Sequence, residues 1–130
     1  MDKSYLLDTY ALLCFLNGDE HLSSKARKAI ADPQNRCFNS IASLWEIAVK
    51  IKIGKLGLQF DLQELSTHLA KNNIELLPIA FEHILETMDL EDQHRDPFDW
   101  IIIAQAKYEK LVIISKDGNF HKYQSIKLLW

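Results

Sequence analysis

The stretch DPFDWIIIAQAKYEKLVIIS (Asp96–Ser115) places a helix directly before a strand, and this order decides the fold class. Its opening Asp-Pro is typical of a helix N-terminus, and the residues through Lys110 predict the helix that follows. LVIIS (Leu111–Ser115) is a continuous apolar run with β-branched residues in its middle, which is typical of a strand buried on both faces. Such strands occur in parallel sheets that are covered by helices, so the stretch predicts an α/β fold.

Strand-like and helical segments alternate along the rest of the chain. This order predicts an α/β sandwich with a mostly parallel sheet. Ser23 is the predicted cap of one helix, Gly54 the C-cap of another, and Asn72-Asn73 a left-handed stop. The remaining predicted strands are SYLLD (Ser4–Asp8), RCFNS (Arg36–Ser40), IELLPI (Ile74–Ile79, ending at Pro78) and an edge strand KLLW (Lys127–Trp130). The remaining predicted helices are TYALLCFLN (Thr9–Asn17), SSKARKAIAD (Ser23–Asp32), IASLWEIAVKIKIGKL (Ile41–Leu56), DLQELSTHLAKNN (Asp61–Asn73) and FEHILETMDL (Phe81–Leu90).

Length and composition predict a single globular domain over residues 1–130. Hydrophobic residues make up 48% and charged residues 25% of the 130 positions, which is enough for one core and too short for two ordinary domains. The net charge of -3 argues against an extended basic surface that binds nucleic acid by charge alone. It allows a nuclease that contacts phosphate through a metal ion.

The sequence predicts a cytoplasmic protein without a membrane segment. Cys14 and Cys37 lie in apolar stretches rather than in a CxxC pair, which indicates reduced and packed thiols. Asp8 interrupts the first apolar run, Tyr5–Leu16, and no small-residue cleavage site follows, which argues against a signal peptide. No apolar stretch reaches the ~18 residues of a membrane span.

Several acidic residues stand where predicted strands end. Asp8 closes the first strand, Asp117 follows LVIISK, and Asp96 and Asp99 open the preceding helix. Ligand sites in open α/β sheets collect at the carboxyl ends of the strands. Each residue also has a structural interpretation: Asp8 as a helix N-cap, and Asp117 as part of the turn KDGN.

Glu46 lies among apolar and small residues in IASLWEIAVKI (Ile41–Ile51). One interpretation is an i,i+4 ion pair with Lys50 on an exposed face that includes Ser43. The other is a carboxylate that points into a pocket from the middle of a helix. Sequence alone leaves both open.

A group of neighbouring carboxylates predicts a divalent cation, because close carboxylates repel one another and resist ionisation. Mg²⁺ and Mn²⁺ prefer oxygen ligands. No His/Cys spacing suggests zinc, and His94 and His121 are expected to be isolated surface or loop residues.

Four motifs span nearly the whole chain: LLDTYALL (Leu6–Leu13), SLWEIAVKIKIGKL (Ser43–Leu56), HRDPFDWIIIAQA (His94–Ala106) and ISKDGNF (Ile114–Phe120). Together they resemble the PIN-domain ribonucleases and, within them, the VapC-like toxins of bacterial toxin–antitoxin pairs. The motifs occur in that family's order and spacing.

The resemblance implies a PIN-like three-layer α/β/α sandwich and metal-dependent endonucleolytic cleavage of RNA with Mg²⁺ or Mn²⁺. It carries the family's acidic quartet onto Asp8, Glu46, Asp99 and Asp117. Asp8 and Asp99 are the expected direct metal ligands, while the other two bind directly, through water or to a second ion. One carboxylate would also accept a proton from the attacking water.

Two further positions belong to the implied site. Asp96 corresponds to an additional acidic position of the subgroup, and Ser115 to a small hydroxyl residue near the last acid. Asp96 precedes Pro97 and is the predicted N-cap, whereas Asp99 falls at N3, where capping explains it poorly. We therefore expect Asp99 rather than Asp96 to face Asp8 across the metal.

The resemblance also implies partners: an RNA substrate, a cognate antitoxin whose tail covers the acidic pocket, and a second copy in a homodimer. Trp100 departs from the subgroup, which often has Arg there, and could change substrate contacts or dimer packing.

Basic and aromatic residues flank the acids in sequence. Trp45 and Trp100 could stack bases, but we expect core packing for both. The nearby cations could steer RNA phosphates or serve as solubilising surface charge; they are Lys50, Lys52, Lys55, Arg95 and Lys116.

Other classes fit the sequence less well. A phosphatase of the haloacid dehalogenase type needs a second Asp two residues after the first, where Tyr10 stands. A phospho-receiver domain needs an acidic pair that SYLLD does not offer. The remaining alternative is a non-catalytic PIN-like module that binds RNA or protein. Loss of one of the four quartet acids would indicate such a module.

Overall fold

Five parallel strands form the centre of the fold. The computed structural model describes residues 3–91 and 96–130. Within these residues the sheet has the order β3-β2-β1-β4-β5, and every neighbouring pair is parallel. The prediction of a mostly parallel sheet with an edge strand at the C-terminal end is confirmed. The strands are β1 (Ser4–Leu7), β2 (Arg36–Ser40), β3 (Ile74–Leu77), β4 (Val112–Ile114) and β5 (Lys127–Leu129).

Helices connect the strands and cover the sheet, as predicted for an α/β/α sandwich. Short 3-10 segments, Leu62–Glu64 and Gly118–Lys122, precede α4 and β5. The α-helices of the described residues are α1 (Thr9–Asn17), α2 (Ser24–Ala31), α3 (Ile41–Lys52), α4 (Leu65–Lys71), α5 (Phe81–Met88) and α6 (Pro97–Glu109).

Alternate residues of the central strands supply two hydrophobic clusters, one on each face of the sheet. Leu7 and Ile114 belong to the first cluster, and Leu6 and Ile113 to the second. This alternation follows from the two-residue period of a strand. All four side chains are fully buried, and each fully buried Leu or Ile contributes about 1.5–3 kcal/mol.

Local sequence signals place most helix boundaries correctly. Ser23 accepts a hydrogen bond from the Ala26 N–H at 3.0 Å and caps α2. Asn73 adopts φ 56, the predicted left-handed stop. Asp61 precedes a 3-10 segment rather than the first α-helical turn, and no side-chain capping bond from Asp61 is present among the described residues.

The predicted extent of α3 is wrong at its C-terminus. The helix ends at Lys52, and Ile53 rather than Gly54 is the C-cap. Gly54 adopts φ 76, and the Lys55 N–H donates to the Lys50 carbonyl at 2.8 Å. This bond is the closing contact of a Schellman motif, and it turns the chain sharply so that Lys55 returns toward α3.

The strand order creates a topological switch point between β1 and β4. From β1 the chain adds β2 and β3 on one side, and then β4 and β5 on the other. Ligand crevices lie at the carboxyl ends of strands where the order reverses. Asp8 follows β1 and Ser115 follows β4 at this point.

Within residues 3–91 and 96–130, none of the helices has the length and apolar character that a membrane crossing requires. Cys14 and Cys37 are buried free thiols, as predicted.

Candidate active site

A cavity lined by five carboxylates opens at the switch point. Its volume is about 480 Å³. The acidic cavity, as we call it, is the place where the ends of β1 and β4 meet α3 and α6. Its lining residues are Asp8, Thr9, Tyr10, Leu13, Glu46, Lys50, Lys55, Leu56, Asp96, Asp99 and Asp117.

Asp8 is a helix cap and a cavity residue at once. Its Oδ1 accepts the Ala11 N–H at 2.8 Å and caps α1, while the residue is only 6% exposed. Burial is the main reason that the pKa of this carboxyl is raised to about 6, and the charges of Asp117 and Glu46 act in the same direction. Hydrogen bonds from Ser115 and from the Ala11 N–H act in the opposite direction. The predicted N-cap is therefore confirmed, and the same carboxylate also lines the acidic cavity.

Asp99 lies at the third position of α6 and is the most strongly perturbed acid. Burial raises its pKa to about 8, and the charges of Asp96, Asp117, Glu46 and Asp8 add to the effect, in that order. The carboxylates around the cavity thus lie within electrostatic reach of one another. Burial and neighbouring carboxylates both favour the protonated carboxyl, and a bound cation would offset the repulsion among the carboxylates.

Asp96 is the N-cap of α6, as predicted. Its Oδ1 accepts the Phe98 N–H at 2.9 Å and the Asp99 N–H at 3.4 Å. It also lines the acidic cavity, so the side chain contributes charge there while it stabilises the helix start.

Glu46 combines features of both interpretations. The ion pair with Lys50 exists, since Lys50 Nζ lies 2.7 Å from Glu46 Oε2. The face is not exposed, however: Glu46 is only 8% exposed and Ser43 is fully buried. The Thr9 hydroxyl donates to Glu46 Oε1 at 2.7 Å and lies 2.9 Å from the Ser43 hydroxyl. Glu46 is therefore a cavity carboxylate whose two oxygens contact two different partners.

Asp117 and Ser115 connect the end of β4 to Asp8. The Ser115 hydroxyl accepts the Asp117 N–H at 2.9 Å, and it hydrogen bonds to the Asp8 carboxylate. Asp117 is exposed and accepts the Asn119 N–H at 2.9 Å. The predicted turn KDGN is thus the start of a 3-10 segment, and its Asp still lines the acidic cavity.

The flanking cations divide into cavity and surface residues. Lys50 and Lys55 line the acidic cavity, and Lys116 lines an adjoining one. Lys52 is exposed at the end of α3. His94 and Arg95 lie outside the described residues, and His121 is exposed, as expected.

Core packing is the wrong prediction for Trp45. Its side chain is 65% exposed, and its ring meets the Phe98 ring edge-on at a centroid distance of 5.3 Å. The apolar neighbours of Trp45 in sequence suggested burial, but its position on α3 turns it outward. Trp100 is half-buried and lines a small cavity with Met88 and Leu90.

Among the polar residues that line the acidic cavity, sequence reasoning did not predict Thr9 and Tyr10. Thr9 orients Glu46, and Tyr10 lines the rim. The one available signal was their position directly after the strand-end Asp8, at the start of a helix.

The donor chemistry of the acidic cavity fits a hard divalent cation. Carboxylate oxygens are the ligands that Mg²⁺ and Mn²⁺ prefer. Burial, and after it the neighbouring carboxylates, raise the pKa values of Asp8 and Asp99, and a cation in the cavity would favour their ionised forms. Among residues 3–91 and 96–130, however, no three His, Cys, Asp or Glu side chains converge closely enough to form a finished metal site. These residues would form a metal site only after side-chain rotation brought their carboxylates closer together.

Comparison with solved structures supports the fold. VapBC2 from Rickettsia felis, bound to a promoter DNA fragment, matches with a TM-score of 0.73 at 16% identity, covering 97% of both chains. VapBC-1 from nontypeable Haemophilus influenzae matches with a TM-score of 0.70 at 18% identity, covering 97% of this chain and 96% of that one. VapBC-5 from Mycobacterium tuberculosis matches with a TM-score of 0.61 at 20% identity, covering 97% of both. At sequence identities this low, the structural matches show a shared fold and no more.

A search of curated proteins found no match. The sequence model of the PIN domain matches residues 5–125. This range includes β1 from Tyr5 onward, all of β2, β3 and β4, and every acidic residue of the cavity, whereas β5 follows it. The chain therefore belongs to the PIN domain family.

Proposed function

We propose that the protein is a metal-dependent endoribonuclease and the VapC-like toxin of a toxin–antitoxin pair. The observation that carries the proposal is the acidic cavity, where five carboxylates lie at the switch point of a PIN domain. The raised pKa values of Asp8 and Asp99 support it, because perturbed carboxylates in a cleft are typical of catalytic and metal-binding sites.

Asp8 and Asp99 are the proposed direct ligands of Mg²⁺ or Mn²⁺. Both are strongly perturbed and both line the acidic cavity. Glu46 and Asp117 complete the catalytic set, and Asp96 and Ser115 contribute from its edge. A bound ion would supply a Lewis acid for the phosphate and a water of lowered pKa.

The chain's own residues orient the proposed ligands and the substrate. Ser115 hydrogen bonds to the Asp8 carboxylate and Thr9 to Glu46, so hydrogen bonds orient two of the acids before substrate arrives. Lys50 and Lys55 give the acidic cavity positive charge for an RNA phosphate. The Lys50 ammonium must first leave Glu46, from which it lies 2.7 Å away.

The direct test is cleavage of structured RNA, including tRNA, by purified, partner-free protein with Mg²⁺ or Mn²⁺. We expect cleavage by the native chain and its loss in Asp8→Asn and Asp99→Asn. Asp61→Asn is the matched control, because Asp61 is exposed and does not line the acidic cavity. If all variants cleave equally, the assigned site is wrong. Binding of RNA without cleavage by the native chain would favour the alternative of a non-catalytic module.

We further propose an antitoxin partner, a homodimer and a cytoplasmic location. The solved structures with similar folds include toxin–antitoxin complexes. The helix α5 exposes an apolar stripe at i, i+3, i+4 and i+7 spacing, formed by Phe81, Ile84, Leu85 and Met88, and a contiguous apolar patch of this kind is typical of protein interfaces. Light scattering of the purified chain, alone and with the product of an adjacent short reading frame, would test both assemblies.

A further inference from the structure

An aromatic pair lies beside the acidic cavity and has no role in the proposed chemistry. Tyr10, two residues after Asp8, is 44% exposed. Its ring stacks on Trp130 at a centroid distance of 6.1 Å and an interplanar angle of 25°. Tyr10 lines the acidic cavity and also an adjoining cavity of about 430 Å³, which we call the side cavity.

Two contacts fix the Tyr10 ring in place. Its hydroxyl hydrogen bonds to the sulfur of Cys14, which is buried one turn later in α1. Trp130 packs on the ring and also contacts the hydrophobic cluster beneath it. A ring that is already ordered loses little conformational freedom when a ligand stacks on it.

The side cavity combines this ring with a cation. Its lining residues are Asp8, Tyr10, Lys116 and Asp117. Lys116 is exposed and stands between Ser115 and Asp117 at the end of β4. Single-stranded RNA presents both a base for aromatic stacking and a phosphate for a lysine at each nucleotide.

We infer that the side cavity is a nucleobase subsite, where Tyr10 backed by Trp130 stacks the base of a nucleotide next to the cleaved phosphate and Lys116 contacts an adjacent phosphate. The inference rests on the proposed function, which places the cleaved phosphate in the acidic cavity. Asp8, Tyr10 and Asp117 line both cavities, so the cavities adjoin and would hold neighbouring nucleotides of one strand.

The composition of the side cavity favours RNA over a peptide as its occupant. An apolar peptide side chain would use the ring but not the Lys116 ammonium. A nucleotide uses both. Because every base has a stacking face, the subsite would require a base without selecting which one.

The test is RNA binding in EDTA, so that cleavage does not interfere. The probes are a short single-stranded RNA of mixed sequence and an abasic ribose-phosphate strand of the same length. We expect Tyr10→Ala to weaken binding of the base-containing strand by about tenfold to a hundredfold and to leave binding of the abasic strand unchanged. Tyr10→Phe keeps the ring and is expected to restore binding; circular dichroism verifies that each variant is folded.

Lysine variants separate the phosphate contact from stacking. Lys116→Gln should weaken binding of both strands and reduce the salt dependence of binding. Lys122→Gln is the matched control, because Lys122 is exposed and does not line either cavity.

Two results would overturn the subsite: Tyr10→Ala binds the base-containing strand as tightly as the native chain, or it loses the same affinity for both strands. Either result would indicate that Tyr10 and Trp130 contact a protein partner instead of a nucleobase. Cleavage with Mn²⁺ is measured separately. A native chain that cleaves no RNA but still shows the Tyr10-dependent preference would refute the nuclease proposal and support the subsite.

Discussion

Replacing Asp8 with Asn should stabilise the metal-free protein while it abolishes RNA cleavage. Asn keeps the side-chain oxygen that accepts the Ala11 N–H at 2.8 Å, and Asn and Asp are about equally good N-caps. The substitution therefore removes the charge and little else. The charge is unfavourable where it stands, because Asp8 is buried near Asp117 and Glu46.

The raised pKa of Asp8 gives the expected magnitude. The interval between its ordinary value of 3.8 and about 6 corresponds to about 3 kcal/mol, at about 1.4 kcal/mol per pKa unit. The folded state holds this proton more tightly than the unfolded state, so stability falls as pH rises through this interval. The penalty of the native Asp8 is complete above pH 6 and disappears as pH falls toward 3.8.

The assay is chemical and thermal unfolding in EDTA at pH 7.5 and again near pH 4. At the higher pH we expect Asp8→Asn to be more stable by about 3 kcal/mol, or roughly 10 °C in Tm for a chain of this length. Near pH 4 the two proteins should unfold together. Asp61→Asn, at an exposed position outside the acidic cavity, should match the native chain at both pH values.

Added Mn²⁺ provides a second comparison. It should stabilise the native chain more than Asp8→Asn, because binding to the folded state alone raises its stability. The reasoning is refuted if Asp8→Asn is no more stable than the native chain at pH 7.5 in EDTA, or if its advantage persists unchanged near pH 4.

Three further predictions concern other residues. Lys50→Met should tighten Mn²⁺ binding at least about tenfold by calorimetry, because an ammonium 2.7 Å from Glu46 no longer competes with the cation; an unchanged affinity would show that the ion pair does not compete. Burial raises the pKa of Asp99 to about 8, so its carboxyl must lose a proton when it binds metal. The affinity for Mn²⁺ should therefore rise from pH 6 to pH 8, with proton release on binding. Asp99→Asn should flatten this rise in affinity. Lys110 ends α6 with φ 59, so Lys110→Gly should stabilise the protein by about 1 kcal/mol in urea unfolding, and a loss of stability would contradict the argument.

Local signals were enough to predict most of the secondary structure. The caps at Ser23 and Asp96 and the left-handed Asn73 depend on residues within four positions, and the structure confirms all three. The apolar run Leu111–Ser115 predicted a buried parallel strand because such a strand has helices on both faces. The error at the end of α3 arose because Gly54 was taken as the C-cap, whereas it follows the cap by one residue.

Strand ends also indicated several acids of the acidic cavity. Asp8 and Asp117 follow β1 and β4, and parallel strands present their carboxyl ends at one edge of a sheet. The sequence could not show that these two strands are neighbours, since more than a hundred residues separate them along the chain.

Burial of the remaining site residues depended on the tertiary structure. Glu46 and Trp45 are adjacent in α3, yet Glu46 is buried in the acidic cavity and Trp45 is largely exposed, the reverse of what their hydrophobicity predicts. The pairing of Tyr10 with Trp130 joins opposite ends of the chain. Sequence determines the local backbone, because propensities and caps act over a few residues. The direction in which a side chain points is decided by long-range packing of helices on the sheet, and only the folded chain contains those contacts.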